Sequence, residues 1–134
     1  MKTLKVIVCK AGKGVSAHLP EIDGYIIARE TVEKLKLDIA DGLSFHIEGL
    51  YDEERKPWMK EPFDFEFVFQ DIPTMIDGYN GLINQSSLAR ISGINESLMR
   101  QYVAGIKKPS RKVTQRIEHG LKKYADELRS ISFV

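Results

Sequence analysis

A single cysteine, Cys9, is present in this chain of 134 residues, so no disulfide can form within the molecule and a reducing, cytoplasmic location is expected. Long apolar runs are also missing: no stretch approaches the roughly 18 apolar residues that a membrane-spanning helix needs. The charged start, with Lys2 and Lys5, does not predict a signal peptide. With 43% hydrophobic residues and few breakers, the sequence predicts a globular protein of one ordinary domain or two small ones.

Signals of catalysis and of metal binding are scarce too. The three histidines, His18, His46 and His119, are far apart in the sequence and form no zinc spacing with the cysteine. The Gly-Lys-Gly segment at 12–14 lacks the rest of a phosphate-binding loop and is better explained as a hairpin turn. No nucleophile and base are recognisable as a pair. The sequence therefore predicts no enzyme, no catalytic or metal-binding residues and no cofactor.

The net charge of +1 hides two halves of opposite sign. Residues 1–78 contain 10 Lys and Arg against 15 Asp and Glu, whereas residues 79–134 contain 10 against 4. A basic module suits the phosphates of a nucleic acid, and an acidic module suits a basic protein. The asymmetry predicts two modules with different partners.

The most informative pattern lies in residues 84–110, NQSSLARISGINESLMRQYVAGIKKPS. Asn84 and Asn95 are each placed to cap a helix, because an Asn side chain accepts hydrogen bonds from the free N–H groups of a first turn. Gly93 suits the left-handed conformation that often ends a helix, and Gly105 closes the second helix. Two short helices joined by such a turn predict a helix-turn-helix that reads DNA.

The second of these helices has an apolar side, formed by Met99, Tyr102 and Val103, and a polar side that suits the major groove. The residues predicted to face base edges are Ser97, Leu98, Arg100 and Gln101. The residues predicted to hold backbone phosphates, through a helix N-terminus or through charge, are Gln85, Ser86, Lys107, Lys108, Ser110 and Arg111.

The same residues resemble the helix-turn-helix of Cro and phage repressors, in which a Ser- or Asn-capped recognition helix ends at a Gly before a basic loop with Pro and Ser. The corresponding loop here is Lys107-Lys108-Pro109-Ser110. DNA-binding proteins of this size usually bind inverted half-sites as symmetric dimers. The alternative is a short helical hairpin whose basic face meets only water.

The sequence pattern in the N-terminal half of the chain predicts three strands, a helix and a fourth strand. Alternating apolar residues indicate strands over 3–10 and 15–19, joined by the tight turn at 11–14, and a third short strand over 25–28. Thr31 is placed to cap a helix that Gly49 ends. Its predicted buried stripe is Val32, Leu35, Ile39 and Leu43. Alternating phenylalanines at 63, 65, 67 and 69 predict a last strand with one aromatic face on this helix.

Two further helices complete the prediction. Pro73 and the apolar residues between 71 and 83 indicate a helix that packs on the helix-turn-helix as its first helix. Ser110 is placed to cap a longer helix through Arg129. Its outward basic residues are Lys112, Arg116, Lys122 and Lys123, of which the early ones could meet phosphates and the later ones are expected to meet solvent. The predicted core stripe of that helix is Val113, Ile117, Leu121, Tyr124 and Leu128. The apolar tail, 131–134, is expected to pack on a neighbour or in a dimer interface.

The order of the front elements and the phrase GYIIARETVEKLKLDIADGLSFHIEGL resemble the HicB antitoxin family. The resemblance implies an α+β chain: a βββαβ partial ribonuclease H-like domain over 1–70 that binds a toxin, then an all-α helix-turn-helix DNA-binding domain over 71–134. It also implies the partners. These are a HicA-like toxin that cleaves messenger RNA, double-stranded operator DNA, and further copies of the chain in a homodimer or higher homo-oligomer. The implied function is to neutralise the toxin and to repress the operon that encodes both proteins.

Two other functions remain open. A stand-alone transcriptional regulator would use the front domain for dimerisation or for sensing a ligand. A nuclease tethered to DNA would need several carboxylates converging on two metal ions, as a ribonuclease H-like fold invites. Asp23, Glu30, Glu48, Asp64 and Glu66 are available, but the first strand, over 4–10, carries no carboxylate. A non-catalytic role is therefore expected.

Overall fold

The computed structural model describes residues 1–79 and 81–134, which form two compact units, Met1–Gly78 and Tyr79–Val134. Within these ranges the chain is α+β, with one four-stranded mixed sheet and five α-helices. The division between the units falls where the excess of acidic residues gives way to the excess of basic ones. None of the helices in the described ranges combines the length and the apolarity that crossing a bilayer requires.

The first unit is built on a sheet with strand order β3-β2-β1-β4. The strands are β1 (Lys2–Ala11), β2 (Gly14–His18), β3 (Ile26–Arg29) and β4 (Phe63–Phe69). β1 pairs antiparallel with β2 and parallel with β4, and β2 pairs antiparallel with β3. Ala11 pairs with Gly14, and Gly12 between them has φ +57°, so the predicted tight turn is confirmed.

Helix α1 (Val32–Glu48) supplies one side of the core of this unit. Thr31 caps it, because the Lys34 N–H donates to Thr31 Oγ1 at 3.1 Å, and the helix ends before Gly49 as predicted. The predicted stripe of Val32, Leu35, Ile39 and Leu43 is fully buried. It shares one hydrophobic cluster with the inward residues of β1, which are Leu4, Val6 and Val8.

The aromatic strand β4 lies at one edge of the sheet and faces the same core. Phe65 is in register with Leu4, and Phe67 with Val6, and such partners on parallel strands point to the same side of a sheet. The phenylalanines of β4 are half-buried against the cluster, and Lys36 of α1 holds its Nζ 4.8 Å from the centre of the Phe67 ring. The predicted aromatic face toward the helix is confirmed.

Helix α2 (Ile72–Gly78) corrects one prediction. It contacts β1 and β4 and belongs to the first unit, so it is not the first helix of the second unit, and the division falls after Gly78 instead of after residue 70. Ile72 and Met75 are buried, and a Cβ at Gly78 would lie 2.5 Å from Cγ2 of Val32. The predicted helix is confirmed only over its first part, because it ends at Gly78 and Leu82 is 77% exposed, and its buried residues pack on the sheet.

The second unit consists of α3 (Gln85–Ser92), α4 (Glu96–Val103) and α5 (Arg111–Arg129). Helix α3 contacts both of the others. The buried apolar residues of this unit are Leu88, Ala89, Ile94, Met99, Tyr102 and Ile117. The predicted core stripe of α5 is wrong toward its end, because Tyr124 and Leu128 are 46% and 50% exposed. Helices of 8 residues span only about 12 Å, so they cannot cover a helix of 19 residues, which spans about 28 Å.

Gly120 sets the close approach of α3 and α5. A Cβ at this position would lie 2.3 Å from the carbonyl oxygen of Ile91 and 3.2 Å from Cα of Ser92. These are backbone atoms, which cannot rotate out of the way. No side chain therefore fits at position 120 unless the two helices separate.

Gly120→Ala is accordingly expected to destabilise the second unit by about 2 kcal/mol, even though alanine favours a helix by about 1 kcal/mol. Thermal unfolding followed by circular dichroism should show a melting temperature lower by about 10 °C. Gly49→Ala is the matched control, since its new Cβ would meet the His46 carbonyl oxygen at an ordinary 3.5 Å. Equal melting temperatures for the two variants would contradict the close packing.

Candidate nucleic-acid and protein interfaces

The start of α3 and the turn after it are held by local hydrogen bonds. The Ser87 N–H donates to Asn84 Oδ1 at 2.8 Å, which confirms Asn84 as the cap. Gly93 has φ +65°, the left-handed conformation predicted for it, and the Ile94 N–H donates to the Ala89 carbonyl at 3.0 Å. Local hydrogen bonds therefore hold both the start of α3 and the turn that joins α3 to α4.

Helix α4 begins at a second asparagine cap. Asn95 Oδ1 accepts from the N–H groups of Ser97 at 2.8 Å and of Leu98 at 3.2 Å. Met99 and Tyr102 are buried, so the rotation of the helix about its axis is set by the core. The residues on the opposite side are left facing solvent.

The predicted base-facing residues do not all share that side. Ser97, Arg100 and Gln101 are exposed, whereas Leu98 is half-buried, because it lies about 100° around the helix from Ser97. Ala104 was missed: it is exposed and follows Arg100 and Gln101 by four and three residues. Helical spacing alone could have identified it, since a small methyl group there can approach a groove as closely as the neighbouring polar side chains.

The basic loop after α4 is tied back to the helix. Gly105 has φ +74°, and the Lys107 N–H donates to the Gln101 carbonyl oxygen at 3.3 Å. This bond holds the start of the loop at the last turn of the candidate reading helix. Lys107, Lys108 and Arg111 are exposed, and none forms an ion pair with a carboxylate in the described ranges. Their positive charge is therefore available to a partner.

The other predicted phosphate contacts differ in their availability. Gln85 is half-buried in the first turn of α3. The Ser86 hydroxyl donates to Glu96 Oε1 at 2.6 Å, so it must leave this carboxylate before it can donate to a phosphate. Ser110 caps α5, because its Oγ accepts from the Val113 N–H at 3.3 Å, and its own hydroxyl proton stays available.

Arg116 is a residue whose role the sequence did not indicate. It was predicted to point outward from α5, but its Nη2 donates to the Gly93 carbonyl oxygen at 2.5 Å. The bond joins α5 to the turn between α3 and α4 across 23 residues. No local pattern signals such a contact.

A second candidate surface lies on the first unit, on the side of α1 away from its core. Leu37 and Phe45 are 75% and 79% exposed, although both are large and apolar. The carboxylates of Glu33, Asp41 and Glu48 are exposed around them and pair with no cation in the described ranges. These five residues are called the acidic helix face below. Large apolar side chains exposed beside unpaired carboxylates make this side of α1 a candidate protein-binding surface.

Asp38, also on α1, belongs to the unit's own structure instead. Arg29 Nε donates to its Oδ2 at 2.8 Å, and Lys34 Nζ lies 3.4 Å from the same atom. The hydrogen bond from Arg29 is the main reason that the pKa of Asp38 is lowered. Asp38 is therefore engaged, unlike the three carboxylates of the acidic helix face.

Across the described part of the chain, no group of three or more His, Cys, Asp or Glu side chains is placed to hold a metal ion. One candidate surface offers cations and amides, and the other offers carboxylates and apolar groups. Comparison of the chain with models of protein families, with curated proteins and with solved structures finds no match.

Proposed function

We propose that this chain is an antitoxin of the HicB type. Its acidic unit binds and neutralises a basic, HicA-like toxin that cleaves messenger RNA, and its basic unit binds operator DNA and represses the operon. The observation that carries the proposal is that the division of charge coincides with the division of the structure. The unit Met1–Gly78 has 10 basic against 15 acidic residues, and the unit Tyr79–Val134 has 10 against 4.

Support for DNA binding comes from the second unit. Two capped helices of 8 residues, joined through a left-handed glycine, suit a helix-turn-helix, in which the second helix enters the major groove. The exposed side of α4 offers Arg100 and Gln101, whose side chains can each form two hydrogen bonds with a purine edge. The unpaired cations of the following loop lie where they can hold the DNA backbone beside the groove.

Support for toxin binding comes from the acidic helix face. A protein that binds RNA exposes cations. A surface with unpaired carboxylates attracts such a protein over a long range, and the charge pairs that then form fix the register of the complex. The two exposed apolar side chains supply the desolvated contacts that hold a complex together once it has formed.

Homo-oligomerisation is proposed through the uncovered end of α5. Tyr124, Leu128 and Ile131 follow one another at spacings of four and three residues, and all are about half exposed. A symmetric dimer would bury this stripe and would present two copies of α4 to the two halves of an operator.

Leu128→Ala is expected to weaken self-association about tenfold, because the truncation removes apolar area from the interface at about 0.8 kcal/mol per buried CH₂ group. Sedimentation equilibrium measures the change. Lys122→Ala, at another exposed position on a different side of the same helix, serves as the control and should associate like the unchanged chain. If both variants keep the original association constant, the stripe is not the interface.

The proposed function is tested by co-expression. The chain should rescue growth when it is produced together with a toxic protein of under about one hundred residues that is encoded beside it, and the two proteins should be purified as one complex. Absence of both rescue and complex would reject the antitoxin role. Operator binding without a toxin partner would instead identify a stand-alone transcriptional regulator.

A further inference from the structure

An open groove lies between the C-terminal end of α3 and one side of α5. It is called the basic groove here. Its lining includes Arg90 and Ser92 of α3 and Lys112, Arg116, His119 and Lys123 of α5. No aspartate or glutamate is found among the described residues that line it.

The basic residues of α5 form a line along the groove. Lys112, Arg116, His119 and Lys123 stand at i, i+4, i+7 and i+11, a spacing that places them on one face of a helix over about 17 Å. Arg90 faces them from α3. Arg90, Lys112 and Lys123 have no ion-pair partner among the carboxylates that the structure describes. Like charges gathered in this way repel one another unless an anion lies between them.

A buried hydroxyl at the groove, like the clustered positive charges, indicates a binding site for an anion. Ser92 is only 7% exposed, and its Oγ has no hydrogen-bond partner within the described residues. A buried polar atom without a partner is costly and rare in native proteins. Arg116 uses only part of its guanidinium on the Gly93 carbonyl oxygen, so further N–H donors remain at the groove.

We propose that the basic groove binds a phosphoryl group, with the guanidinium groups and the lysines as charge partners and the Ser92 hydroxyl as a hydrogen-bond donor. A tetrahedral phosphate offers several acceptor oxygens and up to two charges, which matches clustered Arg and Lys side chains better than a single carboxylate does. The phosphate comes either from a free phosphate compound or from a nucleic-acid backbone.

The groove is separate from the phosphate contacts proposed for operator binding. None of the six residues predicted for those contacts lines the groove. Gln85 and Ser86 lie at the N-terminal end of α3, about 9 Å along the axis from the C-terminal end that the groove surrounds. Lys107, Lys108, Ser110 and Arg111 come before Lys112 in the chain, the last of them directly before it. The inference therefore stands whether or not α4 reads base edges, and the two can fail independently.

Titration of the full chain with inorganic pyrophosphate, followed by amide chemical shifts in NMR spectra, tests the site. The amides of Ser92, Gly93 and Arg116 should shift together and saturably. Lys112→Gln/Lys123→Gln should weaken the affinity at least about tenfold, because two charged partners of the anion are lost. Lys122→Gln/Arg129→Gln removes the same charge from the same helix outside the groove lining and should bind like the unchanged chain.

A parallel titration with a random duplex of about 20 base pairs identifies the source of the phosphate. Shifts at the groove with pyrophosphate and not with duplex assign a free phosphate compound. The same shifts with duplex, weakened by Lys112→Gln/Lys123→Gln, assign the DNA backbone. If neither probe shifts the groove amides, or if both double variants weaken binding equally, the proposal is wrong. Shifts caused only by an acidic peptide would also overturn it in favour of a protein partner.

Ser92→Ala separates a ligand-binding role from a structural one. Removing an unsatisfied buried hydroxyl should leave the melting temperature unchanged or raise it. The affinity for pyrophosphate should nevertheless fall by about threefold to tenfold, since one donor to the anion is lost. Unchanged affinity in this variant would show that the hydroxyl takes no part and would overturn its assigned role.

Discussion

Replacing Arg100 and Gln101 together by alanine is expected to abolish the preference of the chain for its operator over random DNA, while toxin neutralisation stays intact. Both side chains are exposed on α4, so their removal leaves the buried Met99 and Tyr102 in place. Each side chain that is bidentate to a base is worth about 1–3 kcal/mol of discrimination, so the loss of two should reduce the preference at least about thirtyfold. Fluorescence anisotropy with operator and scrambled duplexes at one fixed salt concentration measures the ratio.

The contrasting variant is Lys107→Ala/Lys108→Ala, which removes charge from the loop behind the same helix. It should weaken binding to both duplexes by the same factor and lower the slope of log affinity against log salt by about 2, because about two phosphate contacts are lost. The preference ratio should not change. If operator preference survives in Arg100→Ala/Gln101→Ala, α4 is not the reading helix, whatever the loop variant does.

The residues that could be placed from sequence are those whose partners are close in the chain. Thr31, Asn84, Asn95 and Ser110 were each predicted as caps, and each accepts a hydrogen bond from a backbone N–H within three residues. The buried stripe of α1 and the exposed side of α4 follow in the same way from a period of 3.6 residues. Hydrogen bonds within a few residues and helical spacing were therefore enough to predict these elements and most of the candidate DNA-reading surface.

Contacts between distant residues could not be predicted. The apolar stripe of α2 indicated burial but not its partner, and the sheet was the partner instead of α3. The pattern on α5 could not show that the neighbouring helices are too short to reach Tyr124 and Leu128. The bond from Ser86 to Glu96 depends on how α3 and α4 meet and has no signature in either helix. The grouping of basic side chains around Ser92 also depends on how two helices meet, here α3 and α5, so the sequence did not predict it.

The second prediction with a large expected effect concerns the acidic helix face. Leu37→Ala/Phe45→Ala is expected to weaken toxin binding by about 4 kcal/mol, or about a thousandfold, and to abolish growth rescue, because fully burying a leucine or phenylalanine side chain contributes about 1.5–3 kcal/mol. Stability should not fall, since both side chains are largely exposed in the free chain. Calorimetric titration of the purified toxin gives the affinity. Operator preference should be unchanged, because it depends on the other unit.

Charge on the same face is expected to act on the rate of association. Glu33→Gln/Asp41→Asn/Glu48→Gln should lower the association rate constant about tenfold at low salt and remove most of its salt dependence, with a smaller change in the dissociation rate. Ile26→Ala/Tyr51→Ala removes two equally exposed apolar side chains from the same unit outside α1 and is the control for Leu37→Ala/Phe45→Ala. If the control loses toxin binding and the α1 variants do not, the toxin binds elsewhere on the acidic unit. If none of the variants changes it, the excess of carboxylates serves solubility, and the case for a basic partner fails while the DNA-reading role of α4 is unaffected.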